Sequence, residues 1–215
     1  MAEFRPRRAI AALSSCFILL MFVMAGPAAA LEITVDAYDS GWILPPNYHI
    51  AANENYAAGF SETNAYYYRN FFRFDLTGIS ASVTAAVLRI HMGTYLSDDA
   101  SEIYGVFDAP SLVYANLGGG TSYGSREIFA TETGTIDIVL NGAAITDIQN
   151  ALGGLFDLGG DVISLDATPT TSELLFGNTN EFSTRQLILN PIPEPTTALL
   201  LGIGLAGLAV GRHRR

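Results

Sequence analysis

Val83-Thr84-Ala85-Ala86-Val87-Leu88-Arg89-Ile90-His91-Met92-Gly93-Thr94-Tyr95 alternates so cleanly that it sets the frame for the rest of the chain. Leu88, Ile90 and Met92 fall on one face of an extended strand and Val87, Arg89 and His91 on the other, the period-two pattern of a strand buried on one side. Seven further runs rich in β-branched and aromatic residues read the same way: 31–38, 67–76, 102–107, 125–131, 135–140, 161–165 and 184–189. Turn-forming Gly, Asn, Asp and Pro separate them. Eight short strands with such spacing predict an all-β protein, an antiparallel β-sandwich of jelly-roll-like kind. Residues 143–152 depart from the pattern: Ala144, Ile145, Ile148, Ala151 and Leu152 recur at helical spacing and Gly153-Gly154 follows, which predicts one short helix.

Outward from this region the composition changes. The chain has 215 residues, a net charge of −10 and a positive mean hydropathy of +0.29, two averages that pull in opposite directions. Residues 31–190 hold 5 Arg against 19 Asp and Glu, a net −14, so the apolar excess belongs to the two ends. The chain has no lysine, and its acidic middle excludes a basic nucleic-acid footprint. The 20 aromatic residues of 31–190, 10 Tyr, 9 Phe and Trp42, are enough to furnish a core without staples.

Arg5, Arg7 and Arg8 precede an apolar stretch from Ala9 to Ala25, and Gly26-Pro27-Ala28-Ala29-Ala30 supplies a helix break and an A-x-A site. This order predicts a signal helix over residues 1–30, recognised by the secretion machinery and cleaved after Ala30, with Ala28 and Ala30 as the small residues that are read. Cleavage would remove Cys16, the only cysteine, and with it every thiol mechanism. A lipoprotein box at Cys16 and a twin-arginine signal at Arg7-Arg8 fit less well.

At the other end, residues 191–215 run from Pro193-Glu194-Pro195 through an apolar segment, Thr196 to Val210, to Arg212, Arg214 and Arg215. Fifteen residues make about 22 Å of helix against a hydrocarbon thickness of about 30 Å, which suits a temporary transmembrane helix. The terminal arginines favour the cytoplasmic side. This tripartite order resembles the PEP-CTERM sorting tail of Gram-negative bacteria. The resemblance implies export across the inner membrane, transient tethering there, processing by an exosortase, and a final place at the cell surface or in extracellular polysaccharide. Gly202, Gly204 and Gly207 also fit G-x-G-x-x-G, but no strand–helix unit surrounds them, so the match is a decoy.

Tyr67-Tyr68-Arg69-Asn70-Phe71-Phe72-Arg73-Phe74-Asp75-Leu76, followed by residues 83–90, is similar to a motif of surface β-sandwiches that include disaggregatase-related and carbohydrate-binding-like domains. That likeness implies a fold and leaves chemistry open. Three functional readings follow. The first is a non-catalytic surface or matrix protein. The second is a carbohydrate-binding module in which Trp42, Tyr48 and Tyr56, mixed with Asn47, Asn53 and Asn55, stack on sugar rings. The third, a hydrolase, needs partners for Ser122 of Gly120-Thr121-Ser122-Tyr123-Gly124, and the only later histidine is His213 in the tail. No cofactor is expected. A structural calcium ion at Asp98, Asp99 and Glu102, or near Asp36 and Asp39, has suitable oxygen donors but no loop motif behind it.

Overall fold

The computed structural model describes residues 32–53, 55–180 and 182–190; the expected signal helix and sorting tail lie outside the described residues. Among the described residues, eleven strands and one helix follow in order: β1 (Ile33–Ile43), β2 (Ala58–Ser61), β3 (Tyr66–Asp75), β4 (Ala86–His91), β5 (Thr94–Leu96), β6 (Ser101–Asp108), β7 (Ser122–Phe129), β8 (Thr135–Val139), α1 (Gly142–Ala151), β9 (Leu155–Val162), β10 (Glu173–Gly177) and β11 (Arg185–Leu189). Every pairing is antiparallel.

The strands form two facing layers, β1-β11-β4-β8 and β1-β3-β9-β6-β7. This is the strand order of a jelly roll, as expected from the sequence. β1 belongs to both layers: Ile33–Asp36 pairs with β11, the register slips between Ala37 and Asp39, and Ala37–Ile43 then pairs with β3. A bulge of this kind lets one strand turn the corner between sheets. At one end, β5-β10-β2 extend the sheet from the first residues of β3.

β4 behaves as its pattern requires. Leu88, Ile90 and Met92 are buried, while Arg89 and His91 face outward, and Arg89 meets its in-register partner Asp137 on β8 at 2.7 Å. Phe72 and Phe74 of β3, Tyr104 and Val106 of β6, and Leu187 and Leu189 of β11 close the main core from both layers. The expected single strand 83–95 is instead two, because Gly93 adopts φ +58°, where an added Cβ would lie 2.5 Å from the Gly177 carbonyl. The kink sends β5 to pair with β10.

The strand expected at 161–165 starts earlier, at Leu155. Its Gly159 and Gly160, which resemble turn residues, are there for close approach: a Cβ on Gly159 would meet the Leu117 backbone at 2.5 Å, and one on Gly160 would strike the Tyr104 hydroxyl and Asn70. β2 and β10 escape sequence reading, being four and five residues long and without alternation. α1 forms where its periodicity places it. Asn141 caps it by accepting from the Ala143 and Ala144 N–H groups, Ala144 and Ile148 turn inward, and Gly153 at φ +80° ends it.

Candidate functional site

The aromatic stretch from Trp42 to Tyr68 does not form a row. Trp42 projects from β1 into a small cluster with Leu44 and Ala57, against half-buried Tyr68 and Leu174, and keeps only 8% exposure. Its ring meets Tyr68 edge-on at 5.3 Å and lies 6.2 Å from Tyr48, tilted by 32°. Tyr56 is a core residue and not a surface one: it is fully buried, its ring lies 5.1 Å from Phe72, and its hydroxyl donates to the carbonyls of His91 (3.0 Å) and Thr184 (3.2 Å). Burial pushes its phenol well above the usual tyrosine range. Of the three residues expected to meet a glycan, only Tyr48, at 56% exposure, is exposed. Tyr66 and Tyr67 are also exposed, Tyr67 packing on Phe60 at 5.0 Å.

Below this corner, the outer face of the β1-β3-β9 layer is organised in rows fixed by register. Arg69 sits opposite Ile43, Phe71 opposite Gly41 and Gly159, Arg73 opposite Asp39 and Asp157. Arg69 donates to Asp161 at 2.7 Å, and its guanidinium stacks 4.5 Å from the Tyr114 ring centroid. Arg73 donates to Asp157 at 3.2 Å, with Asp39 at 3.7 Å. Burial raises both Asp157 and Asp161 above the usual carboxylate range, opposed by the arginine beside each. The segment 109–121 folds back over this face: Leu117 joins Ile43 and Phe71 in a second small core, and the Tyr114 N–H donates to the Asn47 side chain.

An open pocket of about 380 Å³ lies where β6, β7, α1 and β9 meet, with Asp108, Tyr123, Asp147, Phe156 and Asp157 among its walls. The Tyr123 hydroxyl donates to Asp147 at 2.7 Å, and Asp108 accepts from the Thr121 N–H. No sequence pattern marks this pocket, because its three carboxylates come from three elements far apart in the chain. Arg73, Tyr123 and the Thr121 N–H engage them, so they line the pocket as a hydrogen-bonded polar wall.

The remaining chemical candidates are dispersed. Ser122 is exposed at the start of β7, while His49 Nδ1 lies 2.8 Å from the Trp42 carbonyl oxygen and His91 faces Thr135 across β4 and β8. Asp98 accepts from Thr171, Asp36 from Gln186, and Glu102 is buried under the hydroxyls of Ser97 and Ser164. Among the described residues, no three His, Cys, Asp or Glu side chains gather in a way that could hold a metal ion. None of the described helices is long and apolar enough to cross a membrane, and the expected transmembrane segment falls outside them.

Comparison with known families places the strongest functional signal beyond the sandwich. Residues 191–215 match the PEP-CTERM protein-sorting motif. No curated protein matches the chain. The motif makes this an exosortase-targeted protein of the surface or exterior of a Gram-negative cell, carrying a C-terminal membrane-anchored sorting signal. Pro193, Glu194, Pro195 and the arginines at 212, 214 and 215 lie within the matched segment.

Proposed function

We propose that the mature protein is a non-catalytic jelly-roll module, released by signal cleavage after Ala30 and exosortase processing at Pro193-Glu194-Pro195, that resides in the extracellular polysaccharide or on the cell surface. The observation that carries this reading is the sorting motif at residues 191–215, which follows directly on β11. The dispersal of Ser122, His49 and His91 and the pairing of the outer-face carboxylates with Arg69 and Arg73 support a binding or structural role over hydrolysis. Termini of the exported protein near Leu31 and Pro195 are the expected outcome of processing.

A second reading is favoured by Tyr48. Its ring is the exposed member of an aromatic corner buttressed by Trp42 and Tyr68, the geometry of a single stacking platform for a sugar ring. Affinity-gel electrophoresis in the secreted polysaccharide tests it. Tyr48→Ala should remove retardation while leaving the fold intact; unchanged retardation would end this reading and leave the structural one standing.

A further inference from the structure

Residues 167–172, Ala-Thr-Pro-Thr-Thr-Ser, place four hydroxyls and a proline in the connection 163–172 between β9 and β10. Both ends of this connection are pinned. On the β9 side, Ser164 Oγ accepts the Ile103 N–H at 2.8 Å and donates to buried Glu102, and the Asp166 N–H donates to Glu173 at 2.8 Å. On the β10 side, the Thr171 hydroxyl donates to Asp98 at 2.9 Å and Ser172 Oγ accepts the Glu62 N–H at 3.1 Å.

Between the pins, residues 167–170 form an open tip. Thr168 and Thr170 are exposed, and no hydrogen bond ties their hydroxyls, or the backbone of 167–170, to another described residue. Pro169 fixes its own φ and steers Thr168 toward an extended backbone. The runs 77–84 and 131–133 expose hydroxyls too, but on tied backbone: the Ile79, Val83 and Thr84 N–H groups donate to Leu76, Gln149 and Asn190, and the Glu132 N–H to Phe129. Strand directions put the open tip at the end of the sandwich where β11 begins, opposite the end where it finishes.

We propose that Thr168 and Thr170 are O-glycosylation acceptors, modified after export with a saccharide carried on a polyprenyl diphosphate. The inference rests on the export reading above. In the transfer, threonine Oγ attacks the anomeric carbon, and the new Oγ–C1 bond replaces the C1–O bond to the diphosphate. The diphosphate leaves with that electron pair, and the hydroxyl proton passes to a base of the transferase. Threonine-rich segments interrupted by proline suit this chemistry, because an extended acceptor with unpaired N–H and C=O groups can lie along an enzyme cleft. Charge favours a sugar over a phosphate at this tip. A phosphate would add about −1.5 to −2 charges beside Asp166 and the Asp98 that holds Thr171, on a domain of net −14, whereas a neutral saccharide adds none.

The test is mass spectrometry of the exported protein recovered from its own host with active exosortase. Cleavage at arginine isolates residues 127–185, which contain the tip. This peptide should be heavier than its polypeptide mass by whole saccharide units that alkaline β-elimination releases. Thr168→Ala combined with Thr170→Ala should remove the increment, and Thr171→Ala should keep it. A bare peptide overturns the proposal, as does a saccharide that survives the double substitution or an increment that is phosphate. The termini seen in the same sample judge the sorting reading separately: an exported chain still ending at Arg215 refutes sorting, while the mass of 127–185 decides glycosylation either way.

Discussion

Replacing Tyr56 by alanine should unfold the protein far below its normal midpoint, although the residue sits in the stretch that most resembles a glycan platform. Its side chain is fully buried between Phe72 and Phe176, and its hydroxyl holds two carbonyls, His91 and Thr184. Deleting a buried aromatic of this kind costs about 3–5 kcal/mol. The His91 carbonyl left without its donor adds about 1 kcal/mol, whereas Thr184 keeps the His91 N–H. At about 2–4 °C per kcal/mol for a domain of this size, a total near 5 kcal/mol lowers Tm by about 10–20 °C. Tyr56→Phe, which removes the hydroxyl alone, should cost about 1–2 kcal/mol and about 2–8 °C by the same conversion. Tyr48→Ala, on an exposed ring, should stay within about 0.5 kcal/mol of the unsubstituted protein. Thermal unfolding followed by near-ultraviolet circular dichroism checks all three. A Tyr56→Ala midpoint within a few degrees of the parent would refute the core assignment, as would a large loss for Tyr48→Ala.

Glu173 is buried, accepts the Asp166 N–H, and lies in the field of Glu102, Asp166 and Asp99; burial first, then these charges, raise its carboxyl above the usual range. A raised carboxyl costs stability once pH climbs through its folded value and costs nothing when both states are protonated, so Glu173→Gln should raise Tm at pH 7 and lose that gain below about pH 4, read from melts across pH. Asn141→Ala removes the cap of α1 and the bond from its Nδ2 to the Ser122 carbonyl, and should cost about 1–2 kcal/mol in chemical denaturation. Gly160→Ala forces a methyl group onto the Tyr104 hydroxyl and Asn70 Oδ1 in the closed core; a loss of about 1–3 kcal/mol or more is expected from the same measurement, and a neutral result would contradict the packing described for β9.

How much of this could be read from the chain depends on the range of the interactions involved. β4 was legible because its alternation is local and its environment is one-sided. Gly93 was not, since the reason for its kink is the Gly177 carbonyl, more than eighty residues away. Gly159 and Gly160 suggested a turn for the same reason: the atoms that exclude a Cβ there belong to Leu117, Asn70 and Tyr104. In the aromatic stretch, composition marked Trp42, Tyr48 and Tyr56 alike, and only tertiary packing separates a core tyrosine from an exposed one. The pocket at Asp108, Tyr123, Asp147 and Asp157 is assembled wholly by topology. The sorting tail was the reverse case. Its signal is a short linear order of Pro-Glu-Pro, apolar run and arginines, which needs no fold to be read.

Mass spectrometry of the exported protein, recovered from a host with active exosortase, tests the central claim most directly. The account predicts an amino terminus near Leu31 and a carboxyl terminus near Pro195; an exported chain that still ends at Arg215 would contradict it.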